Sequence, residues 1–138
     1  MSYLIDTNVL SELRRRAPNA GVVDWFAQRP ATALFLSVLT VGEIRKGIDM
    51  LAAGERKLKL LDWLEVELPT FFAGRIIAVD LSVADRWGRL LADANRPLPA
   101  IDSLLAATAL THGLKLVTHN TRDFVFPGLD VINPWGGD

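Results

Sequence analysis

The sequence predicts an α/β domain in which a mostly parallel sheet of four to five strands is covered by helices on both faces. Short apolar runs of strand length alternate along the chain with longer segments whose apolar residues recur every three or four positions. The 138 residues, half of them hydrophobic, suffice to bury one core without disulfide staples. A single domain over residues 1–138 is therefore expected, and right-handed crossovers restrict its topology.

Tyr3 to Asp6 reads as the first strand, and Thr7 to Arg16, with Val9, Leu10 and Leu13 at helical spacing, as the helix after it. Pro18-Asn19 breaks that helix, and a short amphipathic segment with Val22, Val23, Trp25 and Phe26 closes at Arg29-Pro30. Ala33 to Leu36 is the second strand. Ser37 is an N-cap for a helix in which Val38, Val41, Ile44, Ile48 and Leu51 recur at helical spacing, ending near Gly54. Arg56 to Leu68 forms the next helix, stopped by Pro69. Arg75 to Asp80 is a third strand through Ile76, Ile77 and Val79, and Ser82 with Asp85 is spaced as a capping box for a helix reaching about Asn95. Beyond the stiff connector Arg96-Pro97-Leu98-Pro99, Ala100 to His112 is helical, with Gly113 suited to the left-handed position after it. Lys115 to Thr118 is the fourth strand, residues 120–128 are a loop, and Val131-Ile132 is a short edge strand.

Ligands of open parallel sheets bind beyond the carboxyl ends of the strands, so polar residues just after strands are the candidates for a site. Asp6 ends the first strand, where an N-cap role would also explain it. Asp102 is the one formal charge in PAIDSLLAATALTHG, a helix apolar or small on nearly every face. A buried carboxylate needs a cationic partner, although a first-turn acid also complements the helix dipole. Glu43 has Leu39 and Gly47 rather than charges at i−4 and i+4, and a salt bridge to Lys46 is its plainer explanation. Asp123 falls with Asn120 in the loop after the fourth strand, where an isolated loop acid would be unremarkable.

Four carboxylates gathered at one sheet edge raise one another's pKa, and a divalent cation removes that penalty. An all-oxygen donor set favours Mg²⁺ or Mn²⁺ over zinc, one or two ions of which would act on phosphate oxygens. Phosphodiester hydrolysis is the chemistry that follows.

Composition narrows the field. The absence of cysteine excludes disulfides, thiolate metal sites and thiol catalysis, and fits a reducing cytoplasm. The start MSYLIDTNVL lacks the basic and apolar regions of a signal peptide, and no apolar stretch reaches the length of a membrane span. A net charge of −1 rules out a broad phosphate-neutralising surface, so any nucleic-acid contact must be local. Arg14-Arg15-Arg16 and Arg45-Lys46 are the two basic clusters, and each also reads as a solvated helix face.

The segments YLIDTNVLSEL, SVLTVGEIRKG, PAIDSLLAATALTHGLKLVTHNTRDF and VINPW, in this order and spacing, resemble the PIN-domain ribonucleases, most closely the VapC and FitB-like toxins of type II toxin-antitoxin pairs. The resemblance covers nearly the whole chain and implies a three-layer PIN-like fold, usually dimeric. It implies that Asp6, Glu43, Asp102 and Asp123 form the metal-binding and catalytic quartet, with Thr7, Asn8 and Asn120 as supporting polar residues. It further implies a Mg²⁺- or Mn²⁺-dependent endoribonuclease acting as a toxin in the cytoplasm on single-stranded or looped RNA. Its partner would be an antitoxin that blocks the acidic site, with an assembly on operator DNA.

One of Arg45 and Lys46 would then contact RNA phosphates beside the metal while the other faces solvent, and Arg14 to Arg16 would extend that contact. His119, before Asn120, and His112, at a helix end, are expected to be surface or packing residues. Trp25, Phe26, Phe71, Phe72 and Trp87 serve either the core or a partner surface. Two other functions fit the same fold class. A Mg²⁺-binding receiver-like domain would use Asp80 as phosphoacceptor, but it would carry paired acids after its first strand and a lysine after its last. Here a single acid precedes Thr7-Asn8, and Val131-Ile132 leads to Asn133-Pro134. A catalytically silent interaction module is the second.

Overall fold

The computed structural model describes residues 1–136. Five short strands, β1 (Tyr3–Ile5), β2 (Leu34–Ser37), β3 (Ile76–Ile77), β4 (Lys115–Val117) and β5 (Val131–Ile132), form one sheet in the order β3-β2-β1-β4-β5. Every pairing is parallel. Side chains of a strand alternate between faces, and both faces of this sheet are buried. Tyr3 and Ile5 of β1 enter one apolar cluster with Leu34, Leu36, Ile44, Ile48, Leu64 and Phe72. Leu4 between them enters a second cluster with Leu90, Leu105, Ala106, Leu116 and Phe124.

The first cluster is covered by α1 (Thr7–Leu13), α2 (Ala20–Ala27), α3 (Val38–Asp49), α4 (Glu55–Asp62) and its continuation. The second is covered by α6 (Leu81–Ala94) and α7 (Ala100–His112). The result is the three-layer α/β architecture expected. Trp87 donates its indole N–H to Ser103 Oγ at 2.9 Å, joining α6 to α7. Among the described residues no helix is long and apolar enough to cross a membrane.

Three local expectations are corrected. Proline does not stop the fourth helix: residues 63–67 widen into a π-turn in which the Leu68 N–H reaches Trp63 O, and α5 (Leu68–Phe71) runs on through Pro69. A proline lacks its own N–H and crowds the carbonyl four residues back, and the wider turn relieves both conflicts. The third strand is two residues rather than six, because its partner β2 ends at Ser37 and turns into α3, leaving residues 78–80 no ladder to join. The N-cap of α6 is Asp80, not Ser82: the extended backbone at Asp80 lets its Oδ1 accept from Val83 N at 3.0 Å, which places Ser82 inside the first turn.

Gly113 adopts the left-handed conformation after α7 (φ 65°), as expected. Of the aromatic residues, Phe72 is core, whereas Phe71 is partly exposed and stacks on Phe26 with ring centroids 6.0 Å apart.

Candidate active site

Three neighbouring strands, β2, β1 and β4, end at the same edge, and the amino terminus of α7 arrives there from the opposite layer. Asp6 follows β1 and caps α1, its Oδ1 accepting from Thr7 N at 2.7 Å. The other oxygen, Oδ2, accepts from Thr118 Oγ1 at 2.8 Å and from Asn8 Nδ2 at 3.3 Å. The N-cap and site roles of Asp6 therefore coexist, one on each carboxylate oxygen.

Thr118, wholly buried just beyond β4, also accepts from Asn8 Nδ2 and from Asn120 N, each at 3.1 Å. A hydroxyl has one proton and two lone pairs, so this one is fully committed, and its polarity keeps Asp6 an acceptor. Asn8 Oδ1 in turn receives the His119 N–H at 3.1 Å. The Thr7 side chain, turned the other way, donates to Glu43 Oε1 at 2.7 Å. Glu43 is exposed on α3 rather than sheltered, and this bond from α1 fixes its position.

Asp102 stands in the first turn of α7, half-buried, and Asp123 in the 3₁₀ turn Thr121–Phe124, which is anchored by the buried Phe124. Burial pushes the Asp6 carboxyl above its ordinary range despite three donors, and repulsion from Glu43 and Asp102 adds to the shift. Burial likewise raises Asp102, followed by repulsion from Asp123 and Glu43. Asp6 and Asp102 thus feel the charge of the acids around them, as carboxylates sharing a site do. Among the described residues no lysine or arginine forms an ion pair with any of them.

Among the described residues no three His, Asp or Glu side chains are already gathered to ligate a single ion. The donor set nevertheless fits Mg²⁺ or Mn²⁺. These hard ions take oxygen ligands, and Mg²⁺ usually keeps several waters beside one or two carboxylates. The mutual repulsion of uncompensated acids is what such an ion removes.

The basic clusters divide. Arg45 is held by Glu65 at 2.9 Å and by Asp49 at 3.9 Å, while Lys46 shares a groove with Glu43, Gly42 and Ile101. Arg14 lies over the Trp63 ring, 5.1 Å from its centroid, in an apolar groove lined by none of the four acids. Arg15 instead lines the acidic crevice with Asp6, Glu43 and Asp102. His119 and Trp135 line the same crevice, their rings stacked 4.1 Å apart.

Thr118 and Trp135 belong to this edge although neither is conspicuous in the sequence, whereas Arg15 is the member of the Arg14–Arg16 cluster that reaches it. Thr118 was within reach of the rule that singled out Asp6, being the polar residue that closes an apolar strand. Buried Glu12, also unremarked, accepts from Asn19 N at 2.8 Å and pairs with Arg15 at 3.3 Å, tying down the loop after α1.

The PIN domain family model matches residues 3–127. A VapC ribonuclease of Sinorhizobium fredii is 36% identical over 135 residues, 96% of each chain. The toxin FitB of Neisseria gonorrhoeae is 37% identical over 135 residues, 96% of this chain and 97% of that protein. A structure of FitAB bound to a DNA fragment superposes with a TM-score of 0.89 at 34% identity, covering 99% of this chain and 97% of that one. Asp6, Glu43, Asp102 and Asp123 all lie within that matched span, and the chain belongs to the PIN domain family.

Proposed function

We propose that this chain is a Mg²⁺- or Mn²⁺-dependent endoribonuclease, the toxin of a toxin-antitoxin pair. The observation that carries this is the group Asp6, Glu43, Asp102 and Asp123, whose charges bear on Asp6 and Asp102 and which has no basic ion-pair partner among the described residues, at the ligand-binding edge of the sheet. The ribonuclease and toxin names of the two relatives support the activity, and the FitAB complex on DNA supports a protein partner and an assembly on operator DNA. A homodimer in the cytoplasm completes the proposal.

Asp6, Asp102 and Asp123 would hold one or two ions, directly or through water. A bound ion supplies Lewis-acid polarisation of the scissile phosphate and an acidified water. Asp6 offers it carboxylate oxygens whose orientation is fixed by Thr7, Asn8 and Thr118. Glu43 Oε1 is occupied by the Thr7 hydroxyl, which leaves Oε2 to take the proton of the attacking water. Attack on phosphorus breaks the bond to the 3′ oxygen, which leaves as a hydroxyl after protonation from solvent.

The test is cleavage of a panel of structured and single-stranded RNAs with Mg²⁺, Mn²⁺ or EDTA. Cleavage that needs the metal is expected; cleavage unchanged in EDTA, or none in any condition, refutes the proposal. RNA binding should also sort the basic residues. Lys46→Ala and Arg15→Ala each flatten the plot of log affinity against log salt by about 0.7, one phosphate on single-stranded RNA. Arg45→Ala leaves the slope unchanged, because its guanidinium serves Glu65 and Asp49 and does not line the acidic crevice, whereas Arg15, although paired with Glu12, does. A flattened slope for Arg45→Ala alone would reverse this assignment.

A further inference from the structure

The acidic crevice is also lined by two rings with no part in the chemistry above. His119 and Trp135 stack nearly parallel, with centroids 4.1 Å apart and planes 13° from one another. His119 is exposed, so with one imidazole face on the indole the other is left to solvent. Its backbone is held at the site: the His119 N–H donates to Asn8 Oδ1, and its chain neighbours Thr118 and Asn120 are hydrogen-bonded to each other.

Trp135 is a firm backing. Its N–H donates to Asn133 Oδ1 at 3.0 Å, and its ring packs against the first apolar cluster. The preceding Pro134 is buried, with its carbonyl pressed so closely on α2 that a Cβ on Gly21 would meet it at 3.0 Å. A flat ring is thus presented on a fixed support, one residue from the hydroxyl that orients Asp6.

Single-stranded RNA is gripped by stacking unpaired bases on aromatic side chains, a contact that every base can make. A surface histidine needed only for solvation or packing has no reason to be stacked on a seated indole at the lip of an acidic crevice. Near the acids themselves phosphate is repelled, so uncharged contacts must supply part of the hold on RNA. We infer that His119, backed by Trp135, is the platform on which a nucleobase next to the scissile phosphate stacks. This subsite deepens the ribonuclease proposal and rests on it.

Binding of a fluorescein-labelled single-stranded RNA oligonucleotide, measured by anisotropy with Mg²⁺ in an Asp102→Asn background that keeps the RNA intact, tests the platform. Adding His119→Ala weakens binding by about tenfold, and His119→Phe, which keeps a ring but no imidazole nitrogen, restores it. An abasic nucleotide beside the cleaved bond costs as much against the Asp102→Asn protein and nothing more once His119→Ala is present. Equal affinities for His119→Ala and its parent, or a His119→Phe variant as weak as His119→Ala, overturn the inference. Cleavage by the wild type is scored separately. Cleavage without any dependence of affinity on position 119 removes only the platform, whereas position-dependent affinity without cleavage removes only the ribonuclease.

Discussion

Asp102→Asn should lose RNA cleavage by on the order of 10³-fold and yet melt later than the wild type in metal-free buffer. Among the described residues no hydrogen bond or ion pair holds the Asp102 side chain, so the amide forfeits no such partner, while the repulsion with Asp123 and Glu43 disappears. The position is half-exposed, and solvent screening reduces the gain to about 0.5 kcal/mol, roughly 2 °C. Adding Mg²⁺ should reverse the order. At ten times the dissociation constant the ion stabilises the wild type by about 1.4 kcal/mol, and the variant by less. Differential scanning fluorimetry with and without Mg²⁺, paired with the cleavage assay, reads both effects. A variant that melts earlier without metal would show that Asp102 has a structural partner and is no electrostatic burden.

Thr118→Val should be the most damaging change to the support of the site. The substitution keeps the shape of the side chain and strips the hydroxyl from Asp6 Oδ2, Asn8 Nδ2 and Asn120 N at once. Asp6 Oδ2 then keeps the 3.3 Å bond from Asn8 Nδ2 but loses its shorter donor, at a cost of about 2 kcal/mol, roughly 7 °C, and a displaced Asp6 lowers activity by about 10- to 100-fold. Thr118→Ser retains the hydroxyl and should restore most of both.

The pH dependence carries a sign. Burial raises the Asp6 carboxyl in the folded chain, so the folded state holds that proton more tightly than the unfolded state. Its contribution to stability is complete below the ordinary carboxylate range and is lost as pH rises from there through the raised value. Without the Thr118 bond, which favours the charged form, Asp6 shifts further up and the loss extends to higher pH. Urea titrations of the two proteins between pH 4 and 8 would show it as a gap that widens with pH. A constant gap would mean that Thr118 acts by packing alone.

What could be read from the sequence was set by what is local. The five strands, the two helical layers and the cap at Ser37 follow from periodicity and from residues within one turn, and all stand in the structure. Asp6 and Asp102 were legible because a strand end and an apolar helix make a charge conspicuous. Pro69 misled because a wider turn, absent from any propensity, absorbs it. Thr118 escaped notice because its meaning lies in a bond to a residue 112 positions away. Arg45 and Arg15 could not be told apart in sequence either: each is an arginine on a helix, and only the packing of α3 against the π-turn supplies Glu65 to one, while the crevice receives the other.

The strand order has a temporal side. The innermost strand is made first, yet one of its two neighbours is β4, which emerges after more than three-quarters of the 138 residues. Until residues 115–118 dock beside β1, Asp6 has neither the Thr118 hydroxyl nor the Val117 carbonyl that holds its backbone. Chains leave the ribosome at roughly 5–20 residues per second, so the nascent protein spends several seconds with its first acid in place and its site unbuilt. The topology thus leaves the acidic crevice unformed until β4 has docked beside β1.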